Sequence, residues 1–123
     1  MYKVMWLLKR KAGISHEQFR EHYENSHAEL GKRHIGHLML GYHRNYDAAK
    51  AEGAAFGTPL SSVTDYDCIA EWVMRSEAAF DEAMRIMAEP DILKIFLADE
   101  THFLDSASTR LLRCDTGDTG TGS

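Results

Sequence analysis

The sequence predicts an α+β domain whose elements run β-α-β-β-α-β. Three observations carry that prediction. An apolar segment opens the chain and ends in a turn. Two stretches repeat their apolar side chains every three or four residues, and Trp-, Tyr- and Ile-containing runs lie between and after them. With 123 residues, 44 % of them apolar, the chain suits one domain able to bury a core without staples. Right-handed crossovers then give a four-stranded antiparallel sheet with helices on one face, the ferredoxin-like arrangement.

Tyr2–Lys9, rich in Val, Trp and Leu, reads as the first strand and ends at Ala12-Gly13. Its apolar residues do not alternate cleanly with polar ones, so both faces are expected to be covered. Helix one begins near His16: Ser15 caps it, Gln18 completes a capping box, and fraying is expected near Gly31 or Gly36. Phe19, Tyr23, His27 and Leu30 share one face of this helix. Glu17, Arg20, Glu21 and Glu24 take the outer arc, and His16 and His22 are expected there too, exposed.

Leu38–Tyr46 is the second expected strand and Tyr66–Met74 the third. Asp47–Thr64 between them lacks a period and is long for a hairpin loop, so it is read as a flap over a site. Ser76 caps helix two, whose stripe is Phe80, Ala83, Met84 and Met87; Glu89-Pro90 stops it. Asp91–Leu104 reads as a further helix with Ile92, Ile95, Phe96 and Phe103 inward, and Ser108–Arg113 as strand four. The domain is drawn as residues 1–114, leaving 115–123 as a disordered tail with no apolar residue.

A net charge of −5 disfavours nucleic acid, whose phosphates reward a basic face. Lys9-Arg10-Lys11 is read as a solvated loop. No apolar run is long enough to span a bilayer, and MYKVMWLL lacks the marks of a signal peptide, so a cytoplasmic location is expected. The two cysteines, Cys68 and Cys114, form no metal signature and are expected on strands that never neighbour each other. Of seven histidines, His34, His37 and His43 can be drawn as a cluster, but Gly36 interrupts the helix and no thiolate or carboxylate completes a set, so no metal is expected. A sheet with helices on one side leaves the other side bare, and a second copy is the simplest cover: a homodimer is expected.

The ordered series KVMWLLKRKAGISHEQFREHYENSHAEL, GYHRNY, YDCIAEWVMRSEAAF and DETHFLD resembles the EthD family, a branch of the dimeric α+β barrel superfamily. The matching positions include Lys9-Arg10, Gly13, Ser15, Phe19-Arg20, Tyr23, His27-Ala28, Tyr42, Asn45, Asp67, Glu71, Phe80, Asp99-Glu100, Phe103 and Asp105. Cys68 stands where a glycine is common and Trp72 where an aliphatic residue is usual. The resemblance implies homodimers whose sheets pack back to back, with a pocket between each sheet and its own helices.

On its pattern alone, His27 reads as a buried histidine satisfied by the backbone. The resemblance raises it to the leading pocket residue. The expected chemistry is cofactor-independent acid–base work, of isomerase or lyase type, on a small apolar or aromatic metabolite. His27 is then the base or acid, Tyr42 a donor to a developing oxyanion, and Glu71 or Asp67 the group that orients the imidazole. Phe19, Tyr23, Trp72, Phe80, Phe96 and His102 complete the expected pocket. The alternatives are an oxidoreductase or oxygenase-accessory role, with haem on His27 as an option, and a non-enzymatic ligand-binding protein.

Overall fold

The computed structural model describes residues 1–52 and 64–120. Its strands are β1 (Tyr2–Leu8), β2 (Met39–Tyr46), β3 (Cys68–Met74) and β4 (Arg110–Cys114). They form one antiparallel sheet in the order β2-β3-β1-β4. That is the ferredoxin-like order expected, each strand lying within one or two residues of its expected bounds apart from its ragged ends. Cys68 pairs with Leu8 at one end of β1 and Cys114 with Lys3 at the other; both are free thiols.

After β1, Gly13 takes φ +90, a left-handed turn conformation that side chains disfavour. Helix α1 (His16–His22) then starts from the expected capping box: Ser15 Oγ accepts from Gln18 N at 3.0 Å, and Gln18 Oε1 accepts from Ser15 N at 2.8 Å. The helix continues through a π-helical turn, Tyr23–His27, into α2 (Ala28–Ile35), capped at Gly36. Past that turn the buried face passes to Ala28, Gly31 and Ile35, while Leu30 is only half-buried. The single face drawn through Leu30 assumed one unbroken α period.

A short helix, α3 (Ala48–Glu52), follows β2. The rest of the expected flap over Asp47–Thr64 falls on residues 53–63, which lie outside the described residues, as do 121–123 of the tail. Ser76 Oγ accepts from Ala79 N and caps α4 (Glu77–Met87). Pro90 opens the next helix, α5 (Pro90–Glu100), where its missing N–H costs nothing. Of the residues expected inward on α5, Phe96 is buried but Ile95 is 43 % exposed. The buried stripe of α5 is narrow because only one side of it meets the helical run.

Two buried clusters fill the space between sheet and helices. One gathers Leu8, Phe19, Tyr23, Ala28, Cys68, Ala70 and Phe103; the other gathers Val4, Ile35, Trp72, Met74, Phe80 and Ala83. Trp6 and Tyr42 pack against both. The opposite sheet face carries Met5, Leu7, Ile69 and Val73, all half-buried, and Leu112, 53 % exposed. No helix among the described residues is long and apolar enough to cross a membrane.

Candidate active site

Where the two clusters meet, the chain encloses a cavity of about 260 Å³. The sheet supplies Trp6, Tyr42 and Trp72; the helical run supplies Tyr23 and His27, and α5 supplies Phe96. Among the residues expected at a pocket, Tyr23, His27, Tyr42, Trp72 and Phe96 are therefore brought together.

His27 sits in the π-helical turn, edge-on to Tyr23 and Phe96, with ring centroids at 5.5 and 5.6 Å. Its Nδ1 lies 2.9 Å from Asp99 Oδ2. A carboxylate only accepts, so Nδ1 carries the proton and Nε2 keeps a free lone pair. Asp99 is shared. Its Oδ1 accepts from His22 Nε2 at 2.9 Å and from Ser26 Oγ at 2.6 Å. The π turn makes this sharing possible. In an α-helix Ser26, four places on, would share the face of His22, whereas His27, five places on, would be turned off it; here the Ala28 N–H reaches back to Tyr23 O. The wider turn brings His27 round towards α5 beside Ser26.

Asp99 stands in the last turn of α5, where the helix dipole opposes a negative charge. Burial pushes its carboxyl up as well, but hydrogen bonds from Ser26, His27 and His22 outweigh this and hold it below the usual carboxylate range. For His27 the balance runs the other way. Burial lowers its proton affinity more than the hydrogen bond and charge of Asp99 raise it, so the ring stays below its ordinary value of 6.5. It is a neutral base at pH 7.

Tyr42 Oη and Tyr23 Oη lie 2.8 Å apart. Gly31 packs closely against this pair: a Cβ there would stand 3.4 Å from the Tyr42 ring, at the near edge of ordinary contact. Burial pushes Tyr42 up to about 12 and Tyr23 well above its ordinary value, so both phenols keep their protons. One of the two protons is spent between them; the other is left to donate. Behind them Arg44 grips Glu24 through two hydrogen bonds of 2.6 and 3.0 Å and lies over the Tyr42 ring, 4.7 Å from its centre. Tyr46 donates to the same Glu24.

The other expected site residues lie elsewhere. Glu71 does not orient the imidazole: it faces outward from β3, with His43 Nδ1 at 3.2 Å and Lys3 Nζ at 3.7 Å. Strand alternation, which puts Trp72 inward, forces Glu71 to the other side. Asp67 is buried just before β3, where it accepts from His16 Nδ1 at 2.9 Å and from the Arg10 N–H at 2.9 Å. Phe19 and Phe80 are core residues and do not line the cavity. His102 is exposed and stacks on His22 at 5.4 Å. His16 and His22, expected on the outer arc, are buried and half-buried, because Asp67 in the segment leading into β3 meets one and α5 covers the other. Asp99 was visible in the chain only as part of DETHFLD; nothing in its spacing pointed to His27.

An antiparallel sheet roofed by helices, with a cavity beside a histidine–carboxylate pair, defines a protein of the ferredoxin-like α+β class. The EthD domain family model matches residues 11–107, and the chain belongs to that family. Among curated proteins, it is 26 % identical over 110 residues to a conidial pigment biosynthesis dehydratase EthD from Metarhizium robertsii, across 83 % of this chain and 72 % of that one. Among solved structures, it is similar to At3g17210 from Arabidopsis thaliana, with a TM-score of 0.62, 20 % identity, and coverage of 97 % and 98 % of the two chains. Protein Atu4242 from Agrobacterium tumefaciens gives a TM-score of 0.57 and 17 % identity, over 97 % of this chain and 96 % of the other. Those two likenesses show the fold.

Proposed function

We propose that this protein is a cofactor-independent acid–base catalyst, of lyase or isomerase type, acting on a small apolar or aromatic metabolite. The observation that carries the reading is the Asp99-held imidazole of His27, whose unprotonated Nε2 is left free on a ring that lines the cavity. A water elimination illustrates it. Nε2 takes a proton from the carbon beside a ketone, and the C–H pair moves into an enolate whose oxygen accepts a hydrogen bond from the spare Tyr23–Tyr42 hydroxyl, which keeps its proton. The enolate pair then forms the C=C bond and expels the β-hydroxyl, which leaves as water with the proton held by His27. Asp99 stabilises the intervening imidazolium. The relative named as a dehydratase supports this direction.

Haem does not fit the residues present. A cavity of about 260 Å³ falls below even the span of roughly 300–1,000 Å³ usual for drug-sized ligands.

The test uses 3-hydroxy-1-tetralone, which becomes 1-naphthol on losing water and can be followed by absorbance. The natural protein accelerates the loss, and His27→Ala lowers kcat/KM by roughly 10²–10⁴ with an unchanged far-UV spectrum. Full activity in His27→Ala refutes the assignment.

The half-buried apolar face of the sheet supports a homodimer joined through it. Leu112→Glu is expected to shift the mass measured by light scattering from two chains towards one. A single-chain mass for the unmodified protein rules the dimer out.

A further inference from the structure

Glu100 follows Asp99 at the end of α5 but lines the cavity instead of holding His27. Its Oε1 accepts from Ser106 Oγ at 3.0 Å, and Ser106 lines the same cavity. Two cavity-lining residues bonded to each other place the carboxylate on the wall. Among the described residues Glu100 forms no ion pair, and no Lys or Arg side chain lines the cavity. The remaining wall is mostly apolar, with the flat rings of Trp6, Tyr42, Trp72 and Phe96 beside aliphatic Ile35 and Met87.

We propose that Glu100 sets the substrate class: an uncharged aromatic molecule that carries a hydroxyl donor, with carboxylic acids turned away. The inference rests on the cavity being the ligand site, as the proposed function has it. A partly desolvated carboxylate with one partner has acceptor capacity to spare, and a ligand hydroxyl satisfies it through a charge-assisted hydrogen bond. A ligand carboxylate meets like charge with no Lys or Arg on the cavity wall to compensate. The hydroxyl end is held at Glu100, and a ketone end at the Tyr23–Tyr42 pair, so the two polar walls orient a flat ring between them. Glu100 is thereby a specificity residue for this site. Its negative charge also acts on the neighbouring His27, raising that ring's proton affinity.

The test is calorimetric binding of two probes that share a ring system: 2-naphthol, a phenol uncharged at pH 7, and 2-naphthoate. The unmodified protein is expected to prefer 2-naphthol by roughly 10-fold to 100-fold, the worth of one hydrogen bond to a charged group. Glu100→Gln keeps the size and the acceptor for Ser106, and is expected to weaken 2-naphthol and strengthen 2-naphthoate until the preference closes. Equal binding of both probes, or a preference that Glu100→Gln leaves intact, overturns this inference while the acid–base reading stands on the His27→Ala result. Binding of neither probe removes the cavity as an aromatic ligand site, and the inference falls with it.

Discussion

Two histidines of the same helical run are each held at Nδ1 by an aspartate, and the two pairs differ in what surrounds them. At its start His16 Nδ1 meets Asp67 at 2.9 Å; further along His27 Nδ1 meets Asp99 at the same distance. The first pair is sealed, with side chains only 3 % and 2 % exposed, and Asp67 also accepts from the Arg10 backbone while the Arg10 guanidinium stands 3.6 Å away. His16 Nε2 is buried among the described residues with nothing to act on. The second pair borders a cavity, and its carboxylate is shared with His22 and Ser26 rather than with a cation. Equal hydrogen-bond lengths therefore do not make equal sites. A histidine–carboxylate pair acts on a ligand only where the far nitrogen faces space that a ligand can fill.

Exchanging aspartate for asparagine in each pair should separate the two most sharply. In Asp99→Asn, Oδ1 is already engaged by His22 and Ser26, so the amide nitrogen turns to His27 and donates to Nδ1. The proton is driven to Nε2 and the base is lost, for an expected fall in kcat/KM on the order of 10²–10³. Asp67→Asn should leave kcat/KM within a few-fold yet lower stability by about 2–3 kcal/mol in denaturant titration, since it weakens a buried pair. If both variants lose activity alike, the contrast between the sites is false.

A smaller effect is expected from His22→Ala, which leaves His27 and Asp99 in contact. His22 lowers the proton affinity of His27 by its charge. Its removal should move the acid limb of the kcat/KM profile to higher pH, with the loss confined to the acid side of 6.5 and turnover at neutral pH within about 2-fold. An unmoved limb means that His22 is only a packing residue.

The smallest effect concerns stability. The His27 proton affinity is lowered by folding, so between 6.5 and its folded value the unfolded chain binds more protons. Stability is therefore greatest above 6.5 and declines as pH falls through that window. Asp99, also lowered, contributes above its ordinary 3.8, and that contribution is lost as pH falls through its folded value. Thermal unfolding of His27→Gln should lack the first decline and keep the second. A variant as acid-sensitive as the unmodified protein between pH 7 and 5 would assign that decline elsewhere.

Much of the architecture could be read from the chain because it depends on local periods. Apolar content and a closing turn marked the first strand, Ser15 with Gln18 and Ser76 marked two helix starts, and the strand order followed from handed connections. The site was only half legible. His27 and Tyr42 stood out by residue type and by family resemblance, and both line the cavity. Glu71 was chosen as orienting carboxylate, although strand alternation turned it outward beside Lys3 and His43. His22 looked solvated because no pattern within helix one announces that α5 will lie across it.

By itself the amino-acid order determined the elements, the sheet and the family, since turns, caps and apolar periods act between residues near in sequence. Tertiary structure alone decided which carboxylate holds which imidazole. Asp99 lies far along the chain from His27, and a single π-helical turn brings His27 onto it beside Ser26. Hydrogen-bond partners are chosen by distance in space, and a turn one residue wider than usual resets every side-chain direction that follows it.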